Sequence, residues 1–136
     1  MILQTSPGSS RRAIHGADVV LVVEDDPAVR NSLQFSLEAE GYPVRLFADA
    51  GSLLAEIEFP KRGCIVSDYY LPDGNGLDLI RSLRNRGVAL PAILMTTGPS
   101  QAIRINALTA RVPIIEKPLF GNTLTEEIGA AIARSF

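Results

Sequence analysis

Cys64-Ile65-Val66-Ser67-Asp68-Tyr69-Tyr70-Leu71-Pro72-Asp73-Gly74 runs an apolar segment into an aspartate and then into turn residues. Packing gives no reason to put a carboxylate where a buried strand runs out into a loop, because burying an unpaired charge is costly. Three other strand-like runs end in polar residues too. Val19-Val20-Leu21-Val22-Val23 ends in Glu24-Asp25-Asp26, Ala92-Ile93-Leu94-Met95 in Thr96-Thr97-Gly98, and Pro113-Ile114-Ile115 in Glu116-Lys117-Pro118. In an open parallel sheet the functional crevice lies outside the carboxyl ends of the strands. Four distant segments would then deliver carboxylates, a hydroxyl and an ammonium to one small region.

Between these runs the apolar residues take a helical period. Pro27 opens a first helix, with Val29, Leu33 and Leu37 on one face and Gly41 as its stop. Val44 to Phe47 reads as the second strand. Asp49 then caps a helix carrying Leu53, Leu54 and Ile57 that must end before Pro60. Pro72 to Gly76 reads as a turn leading into a stripe of Leu77, Leu79, Ile80 and Leu83. A fourth helix around Gln101 to Leu108 has Ile103, Ala107 and Leu108 to bury, and Thr123-Leu124-Thr125-Glu126 reads as a capping box for a helix that buries Leu124, Ile128 and Ile132. Five strands alternate with five helices, and the strands are too apolar to have a wet face. That pattern predicts an α/β fold of three layers, a doubly wound five-stranded parallel sheet covered on both sides.

Composition narrows the function. The chain has 136 residues, 46% of them hydrophobic, which suits one domain with one core. A formal charge of −2 and no basic block beyond Arg11-Arg12 give no reason to expect contact with nucleic acid. The single cysteine, Cys64, lies in an apolar run and reads as core, which fits a reducing, cytoplasmic compartment. No stretch approaches about 18 consecutive apolar residues, so no membrane span is expected. Residues 1–16 read as a flexible tail, without the apolar segment of a secretory signal, and 17–136 as the folded domain. His15 falls in that tail, with no second His or nearby Cys to complete a metal set.

The polar strand ends carry the chemistry. Adjacent Glu24 and Asp25 repel unless a cation compensates, and Mg²⁺ commonly takes one or two carboxylates plus waters and a phosphate. Asp26 reads as serving the N-terminus of the first helix. Asp68 could act as a nucleophile that forms an acyl phosphate, with Lys117 and the Thr97 hydroxyl meeting the phosphoryl oxygens. Each residue alone reads as an ordinary surface or strand-end group. It is their joint occurrence at four strand ends that points to a site.

These motifs resemble the receiver domain of two-component response regulators. The resemblance rests on Val23-Glu24-Asp25-Asp26 with Arg30, Ser67-Asp68-Tyr69-Tyr70-Leu71-Pro72-Asp73-Gly74-Asn75-Gly76, Thr97-Gly98, Glu116-Lys117-Pro118, and Glu38-Ala39-Glu40-Gly41-Tyr42 at the end of the first helix. It covers about Asp18 to Arg134. It implies a flavodoxin-like sheet of order 2-1-3-4-5. It also implies a switch in which Asp68 accepts a phosphoryl group from a histidine kinase or phosphotransfer protein. Asp25, Asp68 and the Tyr70 carbonyl would bind Mg²⁺, with Glu24 acting through water, and Thr97 and Lys117 would recognise the phosphoryl group. The output would be altered contact with a downstream protein or an attached effector domain, and the resemblance allows a phosphorylation-linked dimer.

Departures from the family pattern carry expectations of their own. Glu24 stands where aspartate is commoner, and Ile114 where an aromatic residue usually rotates on activation. Thr97 and Lys117 are close together, with Arg111-Val112-Pro113 replacing a Gly-Ala step, which predicts a shortened or irregular fourth helix. Tyr70 and Pro99 occupy positions that tune hydrolysis of the phosphoaspartate. Among rival readings, a haloacid-dehalogenase-type phosphatase would want a second carboxylate where Tyr70 stands. Gly74-Asn75-Gly76 lacks the remaining signature of a nucleotide loop, and Asp73-Gly74-Asn75-Gly76 lacks the terminal Glu of a calcium loop. The remaining alternative is a pseudo-receiver, an interaction module that works without phosphorylation.

Overall fold

A computed structural model describes residues 18–136; the tail expected over 1–16 and its His15 lie outside them. Strands β1 (Val19–Val23), β2 (Val44–Phe47), β3 (Gly63–Asp68), β4 (Ala92–Thr96) and β5 (Ile114–Glu116) form one parallel sheet in the order β2-β1-β3-β4-β5. Cα partners run Val20 with Val44, Val22 with Val66, Val66 with Ile93, and Met95 with Ile115, so the carboxyl ends of β1, β3, β4 and β5 finish side by side. Helices α1 (Pro27–Ala39), α2 (Ala50–Leu54), α3 (Gly76–Asn85), α4 (Gln101–Thr109) and α5 (Thr123–Ser135) follow the five strands in turn. Between β3 and α3, Tyr70–Leu71 and Gly74–Asn75 add a two-residue antiparallel hairpin where a plain turn was expected.

Strand alternation sorts the core onto the two faces. Leu21, Val23, Ile65 and Leu94 face α2, α3 and α4 and pack with Leu53, Leu77, Leu83 and Ala107. Val20, Val22, Cys64, Val66, Ile93 and Met95 face α1 and α5 and pack with Leu33, Leu37, Leu124, Ile128 and Ile132. Cys64 is a core residue, as expected, and burial pushes its thiol up to about 12.

Three local expectations are corrected. Helix α2 stops at Leu54, and Ile57, expected on its buried face, is 92% exposed. Helix α5 has Asn122 at its N-cap with no side-chain cap bond; Thr123 is already its first residue, so the capping box does not form. Leu108 is 79% exposed, because only Ile103 and Ala107 of α4 turn inward. Helix α4 itself runs nine residues, capped by the Ser100 hydroxyl on the Ile103 amide, one residue shorter than α3.

Candidate functional site

Each functional side chain is delivered by a strand end. Glu24 follows β1 and is 1% exposed; Asp25, next along the chain, is exposed. Asp26 caps α1, accepting from the Ala28 amide at 2.9 Å and the Val29 amide at 3.3 Å, which is the local role its position predicts. Arg30 donates to the Glu24 carbonyl at 2.9 Å and fastens the loop to that helix. Asp68 ends β3 at 4% exposure. Lys117, just past β5, reaches across with its amide bonded to the Thr96 carbonyl at 2.8 Å. Its Nζ lies 2.9 Å from Glu24 Oε1 and 2.6 Å from Asp68 Oδ1.

One carboxylate oxygen from each of Glu24, Asp25 and Asp68 lies within 4.8 Å of the others. Two of these acids are buried, and one ammonium does not neutralise them. Burial, reinforced by the neighbouring Glu24 carboxylate, holds the Asp68 carboxyl up at about 8, against the opposing pull of Lys117. Burial also works against ionised Glu24. There it is outweighed by contacts with Asp68, Lys117 and the Asp26 amide, and the Glu24 pKa is lowered. For Lys117, the same two carboxylates overcome burial and raise its pKa.

The short approach of Lys117 to Asp68 is an ion pair without hydrogen-bond alignment, so Asp68 Oδ1 is left without a well-directed donor. A buried carboxylate oxygen with spare acceptor capacity, set among like charges, fits a hard divalent cation that takes oxygen ligands. Tyr70 stands two residues beyond Asp68 in the chain. Its ring is exposed and stands edge-on to Tyr69 with centroids 4.9 Å apart.

Thr97 is placed differently from these residues. It is exposed, and with Lys117, Pro118 and Leu119 it lines the mouth of a cavity of about 620 Å³ between α1 and α5. Its neighbour Thr96, the last residue of β4, is 3% exposed, and its Oγ1 is one of two buried side-chain polar atoms without a hydrogen-bond partner among the described residues. The other is Asp68 Oδ1. A pair of adjacent hydroxyls was visible in the sequence; which of them the strand still holds depends on where β4 ends. Ile114, by contrast, is half-buried against the α2, α3 and α4 core.

A second residue the sequence did not single out is Asp73. Its carboxylate accepts from the amides of Ala50 at 3.0 Å and Gly51 at 2.9 Å, tying the loop after Asp68 to the start of α2. Gly76 closes the other end of that loop. A Cβ there would stand 2.2 Å from the Asp68 carbonyl oxygen and 2.8 Å from Ser67 Oγ, so α3 can approach the end of β3 only with glycine at this position.

The family model for the response regulator receiver domain matches residues 20–129. The chain is 32% identical over 117 residues to the transcriptional regulatory protein FixJ of Bradyrhizobium diazoefficiens, covering 85% of this chain and 57% of that protein. It is 34% identical over 117 residues to the response regulator MprA of Mycolicibacterium vanbaalenii, covering 85% and 51%. The chain thus spans about half the length of the curated relatives it matches. Among solved structures it is similar to a CheY-like receiver domain protein from Methanospirillum hungatei, with a TM-score of 0.79 and 30% identity over 87% of this chain and 95% of that one. The FixJ-N crystal structure gives a TM-score of 0.76 and 29% identity over 88% and 95%.

Proposed function

The chain belongs to the response regulator receiver family, and we propose that Asp68 is the residue through which it acts as a phosphorylation-activated switch. The observation that carries the assignment is Lys117 Nζ, from the end of β5, lying within 2.9 Å of Glu24 from β1 and 2.6 Å of Asp68 from β3. An ammonium held there can meet the phosphoryl oxygens when the Asp68 carboxylate becomes an acyl phosphate. The phosphoryl donor would be a phosphohistidine of a histidine kinase or phosphotransfer protein. The Asp68 carboxylate attacks phosphorus as the N–P bond breaks, and the departing imidazole takes its proton from solvent. Such transfer needs mainly positioning and cancellation of charge on the equatorial oxygens.

Asp25, Asp68 and the Tyr70 carbonyl, with Glu24 behind them, would hold a Mg²⁺ ion that offsets the charge gathering on the phosphoryl oxygens. Lys117 meets those oxygens from the side of β5. The Thr97 hydroxyl, beside Lys117 on the same cavity, would be the hydroxyl donor, since Thr96 alternates with Ala92 and Leu94 and so lies on the other face of the sheet from Asp68. Phosphorylation of Asp68 then alters the surface presented to a downstream protein or effector domain, a local charge change biasing a two-state element.

Incubation with acetyl phosphate and Mg²⁺, read by intact mass, tests the assignment. The expected result is a gain of one phosphoryl group that is absent in Asp68→Asn and slowed in Thr97→Ala. A protein that binds Mg²⁺ but takes no phosphoryl group would instead be a pseudo-receiver that works by contact alone. A Thr97→Ala protein that takes the phosphoryl group as fast as the parent removes Thr97 from the phosphoryl contacts.

A further inference from the structure

Far from Asp68, at the amino ends of β4 and β5, a cleft of about 460 Å³ opens between the α3–β4 loop, the α4–β5 corner and the end of α5. Three guanidiniums line it: Arg84 from the last turn of α3, Arg111 after α4, and Arg134 from the last turn of α5. No carboxylate is among its lining residues; Glu127, outside the lining, pairs with Arg134 at 3.5 Å. The rest of the wall is largely apolar, including Val88, Leu90, Pro91 and Pro113. Arg84 spends one donor on the Ala110 carbonyl at 2.5 Å, which holds the corner in place.

The corner itself is unusual. Helices α1 and α3 end alike: the Gly41 amide bonds to Glu38 and Tyr42 to Leu37, and the Gly87 amide bonds to Arg84 and Val88 to Leu83. In both, glycine takes the left-handed conformation this closure needs, with φ of 97° at Gly41 and 89° at Gly87. Helix α4 closes with the same pair of bonds, Arg111 to Leu108 at 3.0 Å and Val112 to Ala107 at 2.9 Å. Here the left-handed residue is Arg111, at φ 59°, the one non-glycine residue with positive φ among the described residues. An arginine is held where glycine fits without strain, and it lines the cleft. Strained residues of this kind cluster at ligand sites.

We propose that this cleft binds a small organic phosphate, a mononucleotide-sized anion whose phosphates sit among Arg84, Arg111 and Arg134 and whose apolar part lies on Val88, Leu90 and the two prolines. Guanidinium forks match phosphate oxygens in pairs, and the volume falls in the range of small-ligand sites. Three cations on a chain of net charge −2 are too few to track a nucleic-acid backbone.

Titration of the 136-residue protein with ADP, without metal, tests the proposal by calorimetry and by amide chemical shifts. Expected are saturable one-site binding and shifts confined to residues 84–92, 111–113 and 131–135. Arg111→Gly should weaken ADP binding at least tenfold while raising the urea midpoint, a combination that a purely structural Arg111 would not give. Arg134→Ala should weaken binding without that gain. Absence of saturation at millimolar ADP, or an Arg111→Gly protein that binds ADP as tightly as the parent, overturns the proposal. Inorganic phosphate binding as tightly as ADP overturns the organic part of it.

Discussion

Burial holds the Asp68 carboxyl near 8 in the metal-free protein, and the resulting pH dependence runs opposite to that of a well-paired carboxylate. Because the folded value is raised, the stabilising neutral form is fully present below the unfolded value of about 3.9. It is lost as pH rises through about 8. Metal-free wild-type protein should therefore fall behind Asp68→Asn as pH rises, by about 1–2 kcal/mol at pH 9. Urea denaturation at pH 5 and pH 9 checks this; a difference between the two proteins that is the same at both pH values refutes it. The site's other demand is spatial. Gly76 has no room for a methyl group beside the Asp68 carbonyl, so Gly76→Ala should cost about 2–3 kcal/mol and slow phosphorylation, read from the urea midpoint and from mass. Asp68, Glu24 and Lys117 were legible in the sequence because each follows an apolar run. Asp73 and Gly76 were not, since their partners, Ala50, Gly51 and the Asp68 carbonyl, come from packing rather than from spacing.

Helix α2 shows what such packing does for an element. At five residues it is too short to stand on propensity alone. Two carboxylates serve its start: Asp49 accepts from the Ser52 amide at 2.8 Å, and Asp73 accepts from Ala50 and Gly51. The bonds from Gly51 and then Ala50 lower the Asp73 pKa. A lowered value means that this tie is present above the unfolded pKa and lost as pH falls through the folded one. The Ala50 and Gly51 amide shifts should titrate together, with a midpoint below the usual aspartate range, and both responses should vanish in Asp73→Asn. Midpoints at the usual value would show that the loop and helix are not joined in solution. The sequence located this helix and its Asp49 cap. It overran the end because Ile57 continues the apolar period, although no surface remains for that residue to cover. The Thr123 capping box failed for a similar reason: the chain enters α5 one residue early, at Asn122.

For the molecule as a whole, the cluster of Glu24, Asp25 and Asp68 makes stability responsive to cations. A ligand that binds only the folded state at about 100 times its Kd stabilises it by about 2.7 kcal/mol. Mg²⁺ should raise the melting temperature accordingly, with an effect that grows from pH 6 to pH 9 because binding must displace the proton held on Asp68. Asp25→Asn should abolish most of the rise; an unchanged shift in that variant would remove Asp25 from the ligand set. The three layers were legible from alternation of apolar runs and helical stripes, but strand order entered only with the family resemblance, since periodicity does not say which strands are neighbours. The sheet keeps the two halves of the interior apart: Leu33, Leu37, Ile128 and Ile132 share one, while Leu53, Leu83 and Leu94 share the other. Volume-conserving changes in the first set can therefore alter how α1 and α5 seat on the sheet while leaving untouched the side chains that hold α2, α3 and α4.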